Sequence, residues 1–390
     1  MNLMKKRILH VIPSLAAGGA ERQLVNLVNR TTAEFSHFIC VFNNAGFFAP
    51  TIHASGHKVC ELGVLGKHPW FSAASKLHSI INNYKPDIIK TWLYDANIVG
   101  RLVQIFNPKI PLITTLHSPD YEPETIRAAN WSPFRVEGFR QIDKITARLT
   151  KPHFAACSQY VKKSFQRKLN FSDTQVKVIY NGIDPALLEC AADEPQQVRR
   201  DLEIPKDGFV YVMVGRIDAM KNHALLLRAF PKVLSAVPQS YLTIVGVGVL
   251  EQELKDLANS LGIAQRVRFL GRRKDVGACL EMADVFVFPT LLEGHPLALV
   301  EAMFKKLPSI ASNIEVLREV LTDNENGLLF NPNEPDDLAA AMIKLYHQPE
   351  LRERLGRQAL QDAERRFHIR IIAAEWEDYY RNIISENKSK

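Results

Sequence analysis

Short apolar runs alternate along this chain with longer amphipathic stretches, and that alternation predicts its architecture. Runs rich in β-branched, aromatic and leucine residues read as strands at Arg7 to Ile12, His37 to Phe42, Lys58 to Leu62, Asp87 to Thr91, Leu112 to Leu116, His153 to Cys157 and Val176 to Tyr180. A second series follows at Phe209 to Val214, Leu242 to Val245, Val267 to Leu270, Asp284 to Phe288, Ser309 to Ala311 and Gly327 to Phe330. Between them lie helical patterns such as Ala20 to Arg30, Trp70 to Tyr84 and Ala96 to Phe106. Such alternation makes parallel sheets covered on both faces, an α/β class. The tail, Pro349 to Ile384, reads as helical throughout, with Trp376, Tyr379 and Tyr380 serving either as a docking face or as core.

At 390 residues the chain exceeds one ordinary domain, so two lobes are expected. The polar stretch Glu189 to Asp207 reads as the passage between them, and Asn181-Gly182 before it as a turn pair. The five cysteines, Cys40, Cys60, Cys157, Cys190 and Cys279, are scattered and form no C-x-x-C pair, which argues for a reducing cytoplasm and against a disulfide framework or zinc site. The basic lead of the N-terminus precedes an apolar run, Ile8 to Ile12, too short for a signal peptide or a spanning helix. A soluble or peripheral protein is expected, cytoplasmic or on the inner face of the membrane, as a monomer or weak oligomer.

Charge separates the halves. Residues 1–190 carry 23 Lys/Arg against 13 Asp/Glu, a balance of +10, and residues 191–390 carry 26 against 29, a balance of −3. Ten of the basic residues lie between Arg127 and Lys168, against two acids, with aromatic residues interleaved. On a helix, Arg140, Lys144 and Arg148 form one stripe, with Phe139, Ile142, Ile145 and Leu149 as apolar contacts, a pattern suited either to an anionic membrane or to a solvated basic face over a core stripe. No RNA- or DNA-binding motif accompanies the charge, so nucleic acid is not the expected partner.

The candidate chemistry centres on Phe288 to Ser312. Pro296 suits the first position of a helix, which leaves the N–H groups of Leu297, Ala298 and Leu299 as free donors for a phosphate or diphosphate. Glu293 lies just before that anion site and Glu301 inside the helix; carboxylates on both sides suit a sugar hydroxyl pair at one end and a ribose at the other. Arg216 and Lys221 follow another strand, where two cations would neutralise a diphosphate. Gly18 and Gly19, after the first strand, would let backbone approach a ligand closely, and His117 ends the fifth strand at a ligand-facing edge. Neither glycine loop, at 18–19 or at Gly246 and Gly248, completes G-x-G-x-x-G, which counts against a dehydrogenase.

The segment Glu293-Gly294-His295-Pro296-Leu297-Ala298-Leu299-Val300-Glu301 resembles the E-x7-E signature of the family 4 glycosyltransferases, retaining enzymes of the GT-B fold. Gly18-Gly19-Ala20-Glu21, Asn181-Gly182-Ile183-Asp184 and Val214-Gly215-Arg216 with Lys221 are similar to further motifs of that family in the same order. The resemblance implies two Rossmann-like doubly wound domains facing a central cleft. It places residues 1–187 with a returning helix 368–390 on the acceptor side, and residues 188–367 on the donor side. It further implies a nucleotide-diphosphate sugar as donor substrate with no cofactor, and a hydroxyl acceptor, lipid-diphosphate-linked or part of a cell-surface polysaccharide.

The same resemblance gives Glu293, Lys221, Arg216 and His117 catalytic positions. It assigns donor contacts to Glu301, Leu297, Ala298, Gly294, His295 and Gly271, the last at a strand edge that meets the base through its backbone. Relatives often carry a histidine where Trp92 stands here, and a glycine where Lys306 stands, a costlier helix end if that residue is left-handed. No Asp-x-Asp triplet occurs, so no bridging metal is expected. A non-hydrolysing sugar-nucleotide epimerase, a glycoside hydrolase and a non-catalytic nucleotide-sugar binder are the competing readings.

Overall fold

The computed structural model describes all residues except 1–4, 17, 44, 67, 129, 130 and 390, so the start of the basic lead lies outside the described residues. They form two compact units, one of residues 1–122, 131–182 and 369–390, the other of residues 123–130 and 183–368.

The first unit holds a seven-stranded sheet in the order β3-β2-β1-β4-β5-β6-β7. Its strands are β1 (Lys6–Ile12), β2 (Phe35–Val41), β3 (Lys58–Glu61), β4 (Ile88–Trp92), β5 (Leu112–Leu116), β6 (His153–Ala156) and β7 (Val176–Val178). The second unit holds a six-stranded sheet in the order β10-β9-β8-β11-β12-β13. Here the strands are β8 (Phe209–Val214), β9 (Ser240–Val245), β10 (Val267–Gly271), β11 (Val285–Phe288), β12 (Ser309–Ser312) and β13 (Leu328–Phe330). Every pairing between these strands is parallel. Helices cover both faces, so strands such as β4, β5, β9 and β11 are buried at every position. That burial is why they read as unbroken apolar runs. In each sheet the order reverses at one place, between β1 and β4 and between β8 and β11, and such switch points are where open α/β sheets hold ligands.

The tail departs from the expected continuous helix. It forms two helices, Pro349–Phe367 and Ile369–Lys388, separated at His368, whose extended backbone (φ −63°, ψ 130°) makes a bridge with Ile183. The first of these helices belongs to the second unit and the other to the first. Trp376, Tyr380, Ile383 and Ile384 pack with Ile8, Ile12, Phe35, Ile88 and Trp92, so the aromatic cluster is core. The Lys90 ammonium position, fully buried on β4, donates to the Tyr380 hydroxyl at 3.0 Å and lies 3.1 Å from the centre of the Trp376 ring, and burial pushes its pKa well below that of an ordinary lysine.

Two readings of the connecting region are corrected. The stretch Glu189 to Asp207 is not a passage: it contains the helix Glu194–Asp201, whose Val198 packs with Ile204, Val210 and Tyr241 in a core of the second unit. Asn181-Gly182 forms no turn. The side chain of Gln23 clamps the Gly182 backbone, donating to its carbonyl at 2.8 Å and accepting from its N–H at 2.9 Å. A Cβ at Gly182 would stand 2.9 Å from the Ile369 backbone, so glycine is needed there for close approach.

Candidate functional site

In the second unit the loops that follow β8 and β11 emerge from neighbouring strands. After β8, Asp218 caps a short 3-10 turn, Ala219–Lys221, by accepting from the Lys221 N–H at 3.1 Å. The carbonyl of Met220 in that turn accepts from the Leu291 N–H at 2.8 Å and from the Thr290 hydroxyl at 3.1 Å, tying the two loops together. This brings Lys221 Nζ into an ion pair with Glu293 Oε1, both side chains largely buried. The lysine stem crosses the open face of Gly215, and its ammonium lies 5.1 Å from the centre of the Phe288 ring.

The helix beyond Glu293 spans Leu297–Phe304, with Pro296 as its cap and not its first residue. The Leu297 N–H is turned back onto the His295 carbonyl at 3.0 Å, so it is not a free donor as expected; the first intrahelical bond runs from Val300 to Pro296. Ala298 and Leu299 have no backbone acceptor among the described residues, which leaves two donors at the positive end of the helix dipole. An ammonium and two N–H groups in one unit can accept an anionic group, and a carboxylate held beside them can accept from hydroxyls. Glu301 lies in the second turn of the helix and is 3% exposed.

Two further expectations change. Arg216 pairs with Asp218 at 3.1 Å and its side chain is 71% exposed, and no ion pair among the described residues joins it to the Glu293 loop. The nearest carboxylate in its own loop has claimed the guanidinium. His295 is buried, with its ring edge-on to Phe367 at 5.3 Å, and burial together with the Arg366 charge lowers its pKa to about 3. Its imidazole therefore sits in the protein interior as a neutral group, and only its backbone and that of Gly294 remain for a ligand. Gly271, at the end of β10, has φ +62°, and its carbonyl accepts from the Gly246 N–H at 2.9 Å. Gly246 and Gly248 serve packing: a Cβ on either would stand within 2.0 Å of the carbonyl oxygens of Gly215 and Ile217 respectively.

In the first unit, Gly18 caps the helix Gly19–Val28 with φ −114°. A Cβ there would stand 2.2 Å from the Glu21 carboxylate, the movable end of a side chain that folds back towards Gly18. His117 follows β5, stacked on Trp92 with ring centres 4.9 Å apart, and its Nε2 is 3.0 Å from the Thr115 hydroxyl. Nδ1 is buried without a partner, and burial and the nearby Lys90 lower the pKa to about 3, so the ring is neutral. With Gln23, Thr115, Tyr180, Asn181 and Trp376 it lines a cavity of about 10 Å³, room for roughly one water. Trp92, where the resemblance led one to look for a second histidine, turns its indole N–H inward to His10 at 3.1 Å.

The basic segment forms the helix Pro133–Thr150, but the expected stripe does not stay together. Arg140 chelates Glu137 and donates to the Lys168 carbonyl at 2.6 Å, while Arg148 is exposed and Lys144 half-buried. Apolar contact with the unit comes from Val136, Ala147 and, as expected, Phe139, whose ring meets those of His68, Trp70 and Tyr94; Ile142 is half-buried, and Ile145 and Leu149 are exposed. Asp143 on the inner face explains the shift: it is buried in an ion pair with Arg101 and accepts from the Tyr121 hydroxyl at 2.7 Å. Asp218, Thr290 and Gln23 were not singled out from the sequence, because each acts by a contact that spacing does not reveal. The short pattern Asp218 to Lys221 is the one recoverable signal, as a cap before a turn.

Residues 17–187 match the family described as Glycosyltransferase Family 4, and residues 195–362 match Glycosyl transferases group 1. The UDP-Gal:alpha-D-GlcNAc-diphosphoundecaprenol alpha-1,3-galactosyltransferase of Escherichia coli is 28% identical over 69% of this chain and 68% of its own. A lipopolysaccharide core biosynthesis glycosyltransferase, LpsD of Rhizobium meliloti, is 27% identical over 72% of this chain and 78% of its own. Among solved structures, Anabaena Alr3699/HepE in complex with UDP superposes with a TM-score of 0.83 at 22% identity, covering 97% of this chain and all of that one. WaaG, a lipopolysaccharide biosynthesis glycosyltransferase, does so at 0.76 and 15%, covering 96% and 99%. With two family matches that together span both lobes and a fold shared with these enzymes, this chain belongs to the family 4 glycosyltransferases and is a glycosyltransferase of GT-B fold.

Proposed function

We propose that the protein transfers a sugar, with retention at the anomeric carbon, from a nucleoside-diphosphate sugar to a hydroxyl of a lipid-diphosphate-linked glycan intermediate. The observation that carries the reading is the Lys221–Glu293 ion pair on the loop that leads into the helix start, where Ala298 and Leu299 have no backbone acceptor among the described residues. Without donor, each side chain neutralises the other in a partly buried place. An arriving diphosphate would supply a second anion for Lys221 and accept from the two N–H groups, and Glu293 would then be free to accept from hydroxyls of the donor sugar. Lys221 and the helix start would stabilise the diphosphate as it departs, the step with the largest growth of charge. Glu301 would hold the ribose and Gly271 would meet the edge of the base through its backbone. Arg216, exposed on the same loop, would leave Asp218 for the diphosphate. Gly18, Gly19 and His117 belong to the acceptor-side unit in this reading, with His117 acting as a neutral hydrogen-bonding group.

The lipid-linked acceptor is supported by the activity of the Escherichia coli relative and by the outer face of the helix Pro133–Thr150. Phe134, Ile145 and Leu149 are 88%, 55% and 69% exposed and fall within about 60° of one another on the helix, at roughly 100° per residue. Exposed Arg135, Arg148 and Lys151 flank them, as on a helix lying on an anionic bilayer. No described helix is long and apolar enough to cross a membrane.

A thermal-shift panel of nucleoside-diphosphate sugars, followed by transfer assays on lipid-diphosphate acceptors, tests the reading. Stabilisation by one donor, with product formed only when acceptor is present, is expected. Conversion of donor alone into an epimer would favour an isomerase instead.

A further inference from the structure

Cys40 on β2 and Cys60 on β3 are partners in register across two parallel strands. Residues in register on parallel strands project to the same face, and neighbouring strands lie about 4.8 Å apart, inside the range of about 4.4–6.8 Å that Cα atoms of a disulfide span. Both cysteines belong to one apolar layer, with Phe38, Phe42, Leu62 and Leu77, beneath the helix Trp70–Tyr84. Both are free thiols. They differ in access: Cys40 is fully buried, whereas Cys60 is half-buried on β3, the last strand of its sheet.

The neighbouring Cys40 thiol holds the Cys60 thiol down to about 6 although burial and the Glu61 carboxylate push it up, and the Cys60 sulfur lies 3.8 Å from the Glu61 carbonyl oxygen. A lowered thiol pKa favours the thiolate, the form that reacts, at the sulfur that can be reached. A second thiol stands in contact behind it. Cys157, Cys190 and Cys279 lie on other elements and serve as internal comparisons.

We propose that Cys40 and Cys60 form a reversible dithiol–disulfide site that takes a two-electron oxidant, a small hydroperoxide, at the open edge of β3. The Cys60 thiolate attacks one peroxide oxygen; an S–O bond forms, the O–O bond breaks, and the other oxygen leaves as water or alcohol after taking a proton. Cys60 is then a sulfenic acid. The Cys40 sulfur gives up its proton and attacks Cys60; an S–S bond forms, the S–O bond breaks, and the second oxygen leaves as water. Two thiols are oxidised and one peroxide is reduced. A dithiol reductant reverses the change by exchange. The site is independent of the sugar-transfer reading, since none of its atoms belongs to the loops that carry Lys221 or Glu293.

The test uses the full chain, folded, treated with hydrogen peroxide, then alkylated and digested without reductant. A peptide pair linked through Cys40 and Cys60 is expected, lost on treatment with dithiothreitol. Cys40→Ala should leave a sulfenic acid on Cys60 that dimedone traps, whereas Cys60→Ser should leave Cys40 unoxidised. Both variants are checked by circular dichroism before use, and the wild-type cross-link stands as evidence even if Cys40→Ala fails to fold. Cys40 and Cys60 both remaining reduced while Cys190 is oxidised would overturn the proposal, as would a cross-link that joins a different pair.

Discussion

Lys221 Nζ is ion-paired with Glu293 Oε1 across 72 residues of sequence, on loops that leave neighbouring strands. The pairing sets apart two cations that the sequence presented as equals. Lys221 is held in place by the Asp218 cap and the carboxylate it faces, whereas Arg216 is exposed and bound only to Asp218. Lys221→Ala is therefore expected to lower kcat by about 100-fold or more, the scale for removing one positioned electrostatic group. Arg216→Ala should cost clearly less. Glu301→Ala should raise the donor Kd with a smaller change in kcat. Steady-state kinetics with the donor found by thermal shift would check all three, and full activity of Lys221→Ala would remove Lys221 from the mechanism.

Asp143 is the inner anchor of the helix Pro133–Thr150. Truncating it to alanine leaves the buried Arg101 guanidinium without its carboxylate and removes the acceptor of the Tyr121 hydroxyl. A loss of about 3–5 kcal/mol is expected, as for breaking one side of a buried pair. Urea denaturation measures it, and the double variant Arg101→Met with Asp143→Leu should recover part of the loss.

Lys306 follows the helix Leu297–Phe304 with φ +56°, and bonds from Leu307 to Ala302 and from Lys306 to Met303 close a Schellman end. A side chain in that region costs about 1 kcal/mol or more. Lys306→Gly relieves it against the larger unfolded-state freedom of glycine, so a net gain of about 0.5 kcal/mol is expected. Gly356 offers the opposite sign. A Cβ there would stand 2.2 Å from the Lys306 carbonyl oxygen, so Gly356→Ala should destabilise. Thermal denaturation of both variants reads the pair of signs.

Acid should weaken the first unit. Burial drives the His37 and His117 pKa values down to about 3 and that of His10 well below its usual value, so all three fold as neutral rings. In the unfolded chain they would protonate near 6.5. Their stability contribution is therefore complete above pH 6.5 and falls progressively as pH drops from 6.5 towards 3, by roughly 1–2 kcal/mol per ring at pH 5. The expected result is a Tm that declines from pH 7 to pH 5, with a shallower slope in His37→Asn. An identical slope would remove His37 from the account.

The central strands were legible because parallel strands covered on both faces must be apolar throughout; β1, β5 and β8 lie within a residue of their expected bounds. The helix start after Glu293 and the strained Lys306 could also be read, since proline and a missing glycine act locally. What escaped depended on partners far along the chain. Gln23 finds Gly182 across 159 residues, and Met220 finds Thr290 across 70. The tail breaks at His368 because an extended residue there pairs with Ile183, a demand that the helical periodicity of the tail does not carry. The Leu297 N–H is lost for a local reason that spacing cannot show, the His295 carbonyl turned towards it, whereas the His295 ring is buried against Phe367 far along the chain.

The last helix ties distant stretches of the first unit together. Trp376, Tyr380, Ile383 and Ile384 fill the core beside β1 and β4, each contributing about 1.5–3 kcal/mol on burial. The first unit therefore needs residues 369–390 to close a core that residues 1–182 begin, whereas most of the second unit runs unbroken from 183 to 368. Contacts that span so much chain are slow to form, so the second unit is expected to fold ahead of the first.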